Sequence, residues 1–409
     1  MKQILLFLCL LFSYYNAIAA TSCNFSFELS TKDHHIIDQC GNRVTLKSVN
    51  WFGFNEPPQV AGGLNKQSLQ HIVNLIKRGG FNSIRLTYSN EMLHSKRLVE
   101  LKDVSANPEL ANKFPLEVMD IVIKALTDAG LVVILNDHTT LSQWPQGFDM
   151  NGLWHHSSYQ TTAEWLNDWV MLVNRYRDNP LVAGVDLRNE VRTARYRHTW
   201  LPVFPNWGNG DENDWKLAAT QAANLIHEIN PHLLMVIEGI NWTGLPLFQG
   251  YRPLLIPIRQ DPVILNIPNK LVYEVHVYGY TGPEHTGEKF SSMGKMRYRE
   301  MNEDLLRSTL DKEFGYVLEP EQPYTAPIWL GEFGVGSQHA TQADILWFQH
   351  IIRYVTNKEM SWALWPLNPE RADGIIEDSI NDFGLVKDDW SDYREDWRSQ
   401  WIRKLVSAN

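Results

Sequence analysis

The chain has 409 residues, with 37 Lys and Arg against 47 Asp and Glu, a formal net charge of −10. That acidity disfavours nucleic acid or an anionic membrane surface as a partner and suits a neutral one. The length fits one large domain, and no Pro/Ser/Thr-rich spacer or low-complexity tract divides it.

Residues 1–19 read as a signal peptide: Lys2, the apolar run from Ile4 to Phe12, then Ala17-Ile18-Ala19 in the small-x-small pattern of a cleavage site. The run is too short to cross a bilayer, and no later stretch approaches the roughly 20 apolar residues of a transmembrane helix. The expectation is a secreted protein, extracellular or periplasmic, whose single folded domain covers residues 20–409. Cys9 leaves with the signal, so Cys23 and Cys40 remain as an even pair in an oxidising compartment and are expected to form a disulfide. Asn24-Phe25-Ser26 and Asn241-Trp242-Thr243 match the glycosylation sequon.

Asn24 to Leu29 and His34 to Asp38 are extended stretches before a turn at Cys40-Gly41-Asn42, which predicts a β-hairpin at about residues 24–45 plugging one end of the main domain. After it, short β-prone runs alternate with amphipathic helices. The runs are Val44 to Phe54, Phe81 to Tyr88, Leu131 to His138, Val182 to Glu190, Leu233 to Gly239, Lys270 to Gly279, Pro327 to Gly334 and Met360 to Asn368. Helical patterns cover Lys66 to Arg78, Leu116 to Ala129, Thr162 to Arg177, Asp214 to Ile229, Met296 to Phe314, Gln342 to Thr356 and Trp390 to Leu405; only Trp242 to Asn269 lacks one. Eight such units joined by right-handed crossovers predict an α/β fold, the (β/α)8 TIM barrel.

In that fold the chemistry collects at the C-terminal ends of the strands. There the chain places Arg85 on the second run, His138 on the third, Asn189-Glu190 on the fourth, His276 and Tyr278 on the sixth, Glu332 on the seventh and Trp365 on the eighth. His276 and Tyr278 are two apart and share a strand face. Singly, each residue has a plain structural reading: an ion-pair partner, a core histidine, a packed indole. Together, two carboxylates facing each other across a barrel mouth are what glycoside hydrolysis requires, one to protonate the leaving oxygen and one to attack or activate water. Serine-triad chemistry fits less well, because no Gly-x-Ser-x-Gly elbow occurs, and no His-x-His or His-x-x-x-His marks a metal site. No metal and no organic cofactor is expected. Trp51, Trp144, Trp154, Trp200, Trp207, Trp242 and Trp365 lie at or just after strand ends and are candidate sugar-stacking rings, whereas Trp165, Trp169, Trp215, Trp347, Trp397 and Trp401 lie in helical patterns and read as packing residues.

From about Val44 to Trp401 these residues resemble glycoside hydrolase family 5, retaining (β/α)8 glycosidases that include many cellulases. The family's Arg, His, Asn-Glu, His-x-Tyr, Glu and Trp fall on Arg85, His138, Asn189-Glu190, His276 with Tyr278, Glu332 and Trp365. Val49-Asn50-Trp51-Phe52-Gly53, Gly208-Asn209-Gly210-Asp211 and Trp329-Leu330-Gly331-Glu332-Phe333-Gly334 extend the similarity, closest to the endoglucanase-like branches. One departure is Val191, where the family usually has proline. The resemblance implies a β-linked poly- or oligosaccharide substrate, with Glu190 as acid/base and Glu332 as nucleophile. Arg85 and Tyr278 would keep Glu332 ionised, while Glu190 would need a raised pKa. Asn189 would bind the sugar 2-hydroxyl, His138 and His276 would orient the site, and Trp365 would floor the reacting sugar. An endo-β-1,4-glucanase is the leading expectation. The alternatives are the same chemistry on mannan, xyloglucan, β-1,3-glucan or a glycolipid, and a non-catalytic carbohydrate-binding barrel.

Overall fold

The structure, a computed structural model, describes residues 27–145, 147–155, 159–196, 199–245, 250–287, 295–369 and 382–408. The expected signal peptide, Cys23 and Asn24 lie outside these residues.

The chain opens with an antiparallel hairpin, β1 (Leu29–Lys32) and β2 (His35–Asp38). Then follow β3 (Lys47–Phe54), α1 (Leu69–Arg78), β4 (Ser83–Ser89), the short α2 (Asn90–Leu93), α3 (Pro115–Asp128), β5 (Val132–Thr139), α4 (Thr162–Tyr176) and β6 (Val182–Asp186). A small ribbon, β7 (Ala194–Arg195) and β8 (Pro202–Val203), precedes α5 (Trp215–Ile229), β9 (Leu234–Glu238), β10 (Leu271–His276), α6 (Glu303–Glu313), β11 (Ile328–Phe333), α7 (Gln342–Asn357), β12 (Ser361–Leu364) and α8 (Ser399–Ser407). The strands β3, β4, β5, β6, β9, β10, β11 and β12 pair in parallel and close into the expected (β/α)8 barrel.

The helices begin where the sequence offers an oxygen to their unpaired N–H groups. Ser68, Thr161, Asp214, Asn302 and Thr341 accept from the first turns of α1, α4, α5, α6 and α7, each cap worth about 1 kcal/mol. Two helices are shorter than expected. Met296 to Phe314 splits at Asn302, which caps α6 after a 3-10 turn at Tyr298–Glu300. Trp390 to Leu405 becomes helical only at Ser399, because Trp390 takes φ +58° and Asp396 bonds the Arg398 backbone locally. Among the described residues of 242–269 the only helical turn is the 3-10 turn Ile256–Arg259.

Inside the barrel, Val132 and Ile134 of β5, Leu234 and Val236 of β9, Val272 of β10, Trp329 of β11 and Ala363 of β12 form an apolar floor, completed by Leu29 and Ile36 of the hairpin. The hairpin is thus a plug at the N-terminal end of the barrel. A second and larger apolar layer lies between the strands and the helices. The fourth run ends as a strand at Asp186, so Glu190 stands on the following loop. Register breaks in β10 and β11 bring both Trp329 and Glu332 to the interior.

Candidate active site

Above the floor the inward positions turn polar. Asn50 of β3, Arg85 of β4, Asn136 of β5, Asp186 of β6, Glu238 of β9 and Glu274 of β10 are all at most 1% exposed. Arg85 organises this layer. Its Nε donates to Asp186 Oδ2 at 2.7 Å; its Nη1 donates to Glu332 Oε1 at 2.7 Å and Asn50 Oδ1 at 3.0 Å; its Nη2 donates to Asn189 Oδ1 at 2.9 Å. Glu274 lies 3.3 Å from Arg85 Nε. Gly331 makes room for it, since a Cβ there would meet Glu274 Oε1 at 1.6 Å.

The mouth proper is a cleft of about 780 Å³ lined by His138, Asn189, Glu190, Tyr278, Glu332 and Trp365 among others. Tyr278 donates to Glu332 Oε2 at 2.8 Å. His276 Nδ1 lies 3.1 Å from Glu190 Oε1 and 3.7 Å from Glu332 Oε2, while its Nε2 bonds Glu274 at 3.1 Å. One carboxylate oxygen of Glu190, one of Glu332 and a nitrogen of His276 all lie within 4.8 Å of one another. Trp365 stacks on the His138 ring (5.6 Å between centroids, 3° between planes) and on Phe52 (5.4 Å, 18°). His138 Nδ1 bonds Asn136 at 2.8 Å, and burial with the Arg85 charge keeps the ring neutral.

Glu190 takes φ +45°, a left-handed conformation that costs a non-glycine residue about 1–3 kcal/mol and persists only where neighbours impose it. Its N–H donates to Glu238 Oε2, and its carbonyl accepts from Arg192 Nη1 at 3.0 Å. Val191 is fully buried, its carbonyl accepting from Asn241 N at 2.8 Å.

The electrostatics reverse two expectations, a raised pKa for Glu190 and a lowered one for Glu332. Burial pushes the Glu190 carboxyl up, but the hydrogen bond and charge of His276, with Arg192 and Arg252 behind, hold it down at about 2. Burial also pushes Glu332 up; His276, Arg85 and Tyr278 oppose it, and the negative charge of Glu190 leaves it above the usual carboxylate range. The supports expected around Glu332 are in place, yet Glu190 is the more readily ionised carboxyl. The reason is His276, whose imidazole is itself held well above 6.5 by Glu238, Glu332, Glu190 and Glu274, against the cost of burial.

The candidate rings divide. Trp144 and Trp242 line the cleft with Trp365. Trp51 does not: it is fully buried in the core, its indole donating to Gly62 O at 3.0 Å. Trp154 is 1% exposed and packs on Trp165 and Trp215, so no sugar reaches it. Trp207 packs against the core and donates to Asp261 O at 2.9 Å, away from the cleft lining. Trp200 is 78% exposed beneath the Arg195 guanidinium, also off the lining. Asn241 of the second sequon is 4% exposed and lines the cleft, a poor place for a glycan. Cys40 sits in the turn after β2, while its expected partner Cys23 lies outside the described residues.

Asn50, Glu238 and Glu274 join the site without having been singled out. Their signal was parity: Glu274 is two before His276, and Glu238 falls in step with Leu234 and Val236 on the fifth run. His276 with Glu190 and Glu332, or with Glu238 and Glu274, has donors of the kind that hold a divalent ion, but here Arg85 and His276 already supply the positive charge. A further group, His34, His35 and Glu359, lies by the hairpin, with Glu359 paired to Arg43.

The profile of Cellulase (glycosyl hydrolase family 5) matches residues 38–371. An endoglucanase of Paenibacillus polymyxa is 28% identical over 403 residues, covering 96% of this chain and 92% of its own. The major extracellular endoglucanase of Xanthomonas campestris is 29% identical, covering 91% of this chain and 70% of its own. Among solved structures, the Pyrococcus horikoshii hyperthermophilic endocellulase superposes with a TM-score of 0.74 at 25% identity, over 93% of this chain and 98% of its own. The same endocellulase has been solved with cellotetraose, and that structure superposes with a TM-score of 0.73 at 25% identity, covering 93% of this chain and 98% of its own. Among the described residues no helix is long and apolar enough to cross a membrane.

Proposed function

The chain belongs to glycosyl hydrolase family 5, and from that premise we propose that it is a secreted, retaining endo-β-1,4-glucanase in which Glu332 is the nucleophile and Glu190 the acid/base. The observation that carries the mechanism is the separation of the two carboxylates, whose nearest oxygens lie within 4.8 Å of each other. A retaining pair sits about 5–5.5 Å apart, whereas an inverting pair needs about 6.5–9.5 Å to admit a water. Glu332 then attacks the anomeric carbon directly while Glu190 protonates the departing oxygen. In the second step water attacks the glycosyl-enzyme and returns a proton to Glu190.

Before a sugar binds, the proton for the first step is held by the Glu190–His276 pair, across the 3.1 Å hydrogen bond. A sugar in the cleft excludes water from the Glu190 side chain, which is 23% exposed, and so favours its neutral form and draws that proton onto it. Arg85 and Tyr278 remain hydrogen-bonded to Glu332 and stabilise it as the attacking carboxylate. Arg85 also takes the Asn189 carbonyl oxygen, which leaves the amide nitrogen to meet a sugar 2-hydroxyl. Trp365, held by stacking on His138 and Phe52, lines the cleft where the reacting sugar would lie, with Trp144 and Trp242 as further stacking rings.

The similarity to endoglucanases and an endocellulase supports β-1,4-glucan as the substrate of this chain. The purified chain should release reducing ends from soluble cellulose and barley glucan faster than from mannan or xyloglucan. Preference for mannan or xyloglucan would reassign the substrate while leaving the chemistry in place.

A further inference from the structure

We propose that Glu238 is a positioning residue for the acid/base: it fixes the left-handed turn that carries Glu190 and faces the same imidazole as the Glu190 carboxyl. The inference rests on Glu190 being the acid/base of the proposed reaction.

Glu238 ends β9 and is 1% exposed. Its Oε2 accepts the Glu190 N–H, the contact that anchors a glutamate at φ +45°. Its Oε1 is buried without a hydrogen-bond partner among the described residues and lies 3.6 Å from His276 Nδ1, which bonds Glu190 Oε1 at 3.1 Å. One side chain therefore holds the Glu190 backbone and meets the Glu190 carboxyl at the same imidazole nitrogen. Its own carbonyl is fixed in turn by the Trp215 indole, which donates to it at 2.7 Å.

An amide would accept the same N–H without burying a charge, so a carboxyl here does more than cap a turn. What it adds is a titratable oxygen facing the imidazole. The groups that act on it are Glu190, His276, Glu274 on the adjacent strand β10, and Arg85. Burial and the charges of Glu274 and Glu190 push Glu238 up, and His276 pulls it down; the balance leaves it well above the ordinary glutamate value. As it ionises with rising pH, its charge stabilises the imidazolium and keeps a proton available to Glu190.

Two variants separate this role from plain packing. Glu238→Ala removes the anchor and should lower kcat at least tenfold on an unactivated cello-oligosaccharide, whose leaving group needs the acid. On an aryl glycoside with a good leaving group kcat/KM of the same variant, which reports the first step alone, should stay within threefold of the parent. Glu238→Gln keeps the acceptor but not the charge; its kcat at optimum pH should recover, while the His276 imidazole, followed by NMR, titrates about one pH unit lower than in the parent. Equal losses on the two substrates, or an unchanged His276 titration in Glu238→Gln, overturns the proposal. The titration does not depend on turnover, so it still decides if Glu238→Ala fails to fold. A parent chain that hydrolyses neither substrate would instead overturn the reading of the site.

Discussion

Along β9 the inward residues run Leu234, Val236, Glu238, and along β10 they run Val272, Glu274, His276. Within two residues each strand passes from an apolar floor to a layer of buried charge. The floor, with Leu29 and Ile36 of the hairpin set into it, buries apolar surface and makes no polar demand. The mouth does the opposite: Asp186, Glu190, Glu238, Glu274 and Glu332 surround Arg85 and His276, an arrangement that burial alone disfavours. The difference teaches that stability and chemistry occupy successive layers of the same strands, so substitutions in the two layers should separate them.

The largest effect is expected at the nucleophile. Glu332→Ala should lower kcat/KM by about 10⁴-fold or more on every substrate. Because it also removes one carboxylate from a crowded group, its melting temperature should not fall. A variant that melts well below the parent would erase the distinction between the layers.

The acid/base comes next. Glu190→Ala should lose turnover steeply on oligosaccharides but much less on an aryl glycoside whose leaving group needs no proton, and azide should rescue its second step. Uniform loss without azide rescue would count against the role.

The floor should respond in the other currency. Ile36→Ala, which opens a cavity where the hairpin meets the barrel, should cost about 2–5 kcal/mol of stability. Activity per folded molecule should stay within twofold at a permissive temperature. A change in kcat with no change in denaturation midpoint would show that the plug reaches the chemistry.

The smallest effect is in pH. A raised His276 pKa means that the proton, and the stability it brings, is fully present below 6.5 and is lost only as pH rises through the higher folded value. The alkaline limb of kcat/KM should therefore have its midpoint above 6.5. A midpoint at or below that value would mean that His276 does not hold the proton for Glu190.

Much of this was legible in the sequence because period and chemistry coincide. Eight β-prone runs spaced by helical patterns gave the barrel, and Glu190, Tyr278 and Glu332 stand at run ends and meet in the cleft, with Arg85 and His276 buried beneath them. Glu238 and Glu274 were harder, since one acid at a strand end looks like any other until its neighbours across the barrel are known. Trp51, Trp154 and Trp207 show the limit from the other side. Their positions after strand ends matched those of Trp144 and Trp242, and only packing decides whether an indole faces the cleft or the core. The low pKa of Glu190 was hidden for a related reason: it comes from an imidazole 86 positions away.

The assignment of Glu332 as nucleophile and Glu190 as acid/base is tested most directly by the stereochemistry of the first product. Two inversions at the anomeric carbon give net retention. Proton NMR of a β-linked cello-oligosaccharide during the first minutes of hydrolysis should show the β-anomer accumulating ahead of mutarotation; initial accumulation of the α-anomer would contradict the account.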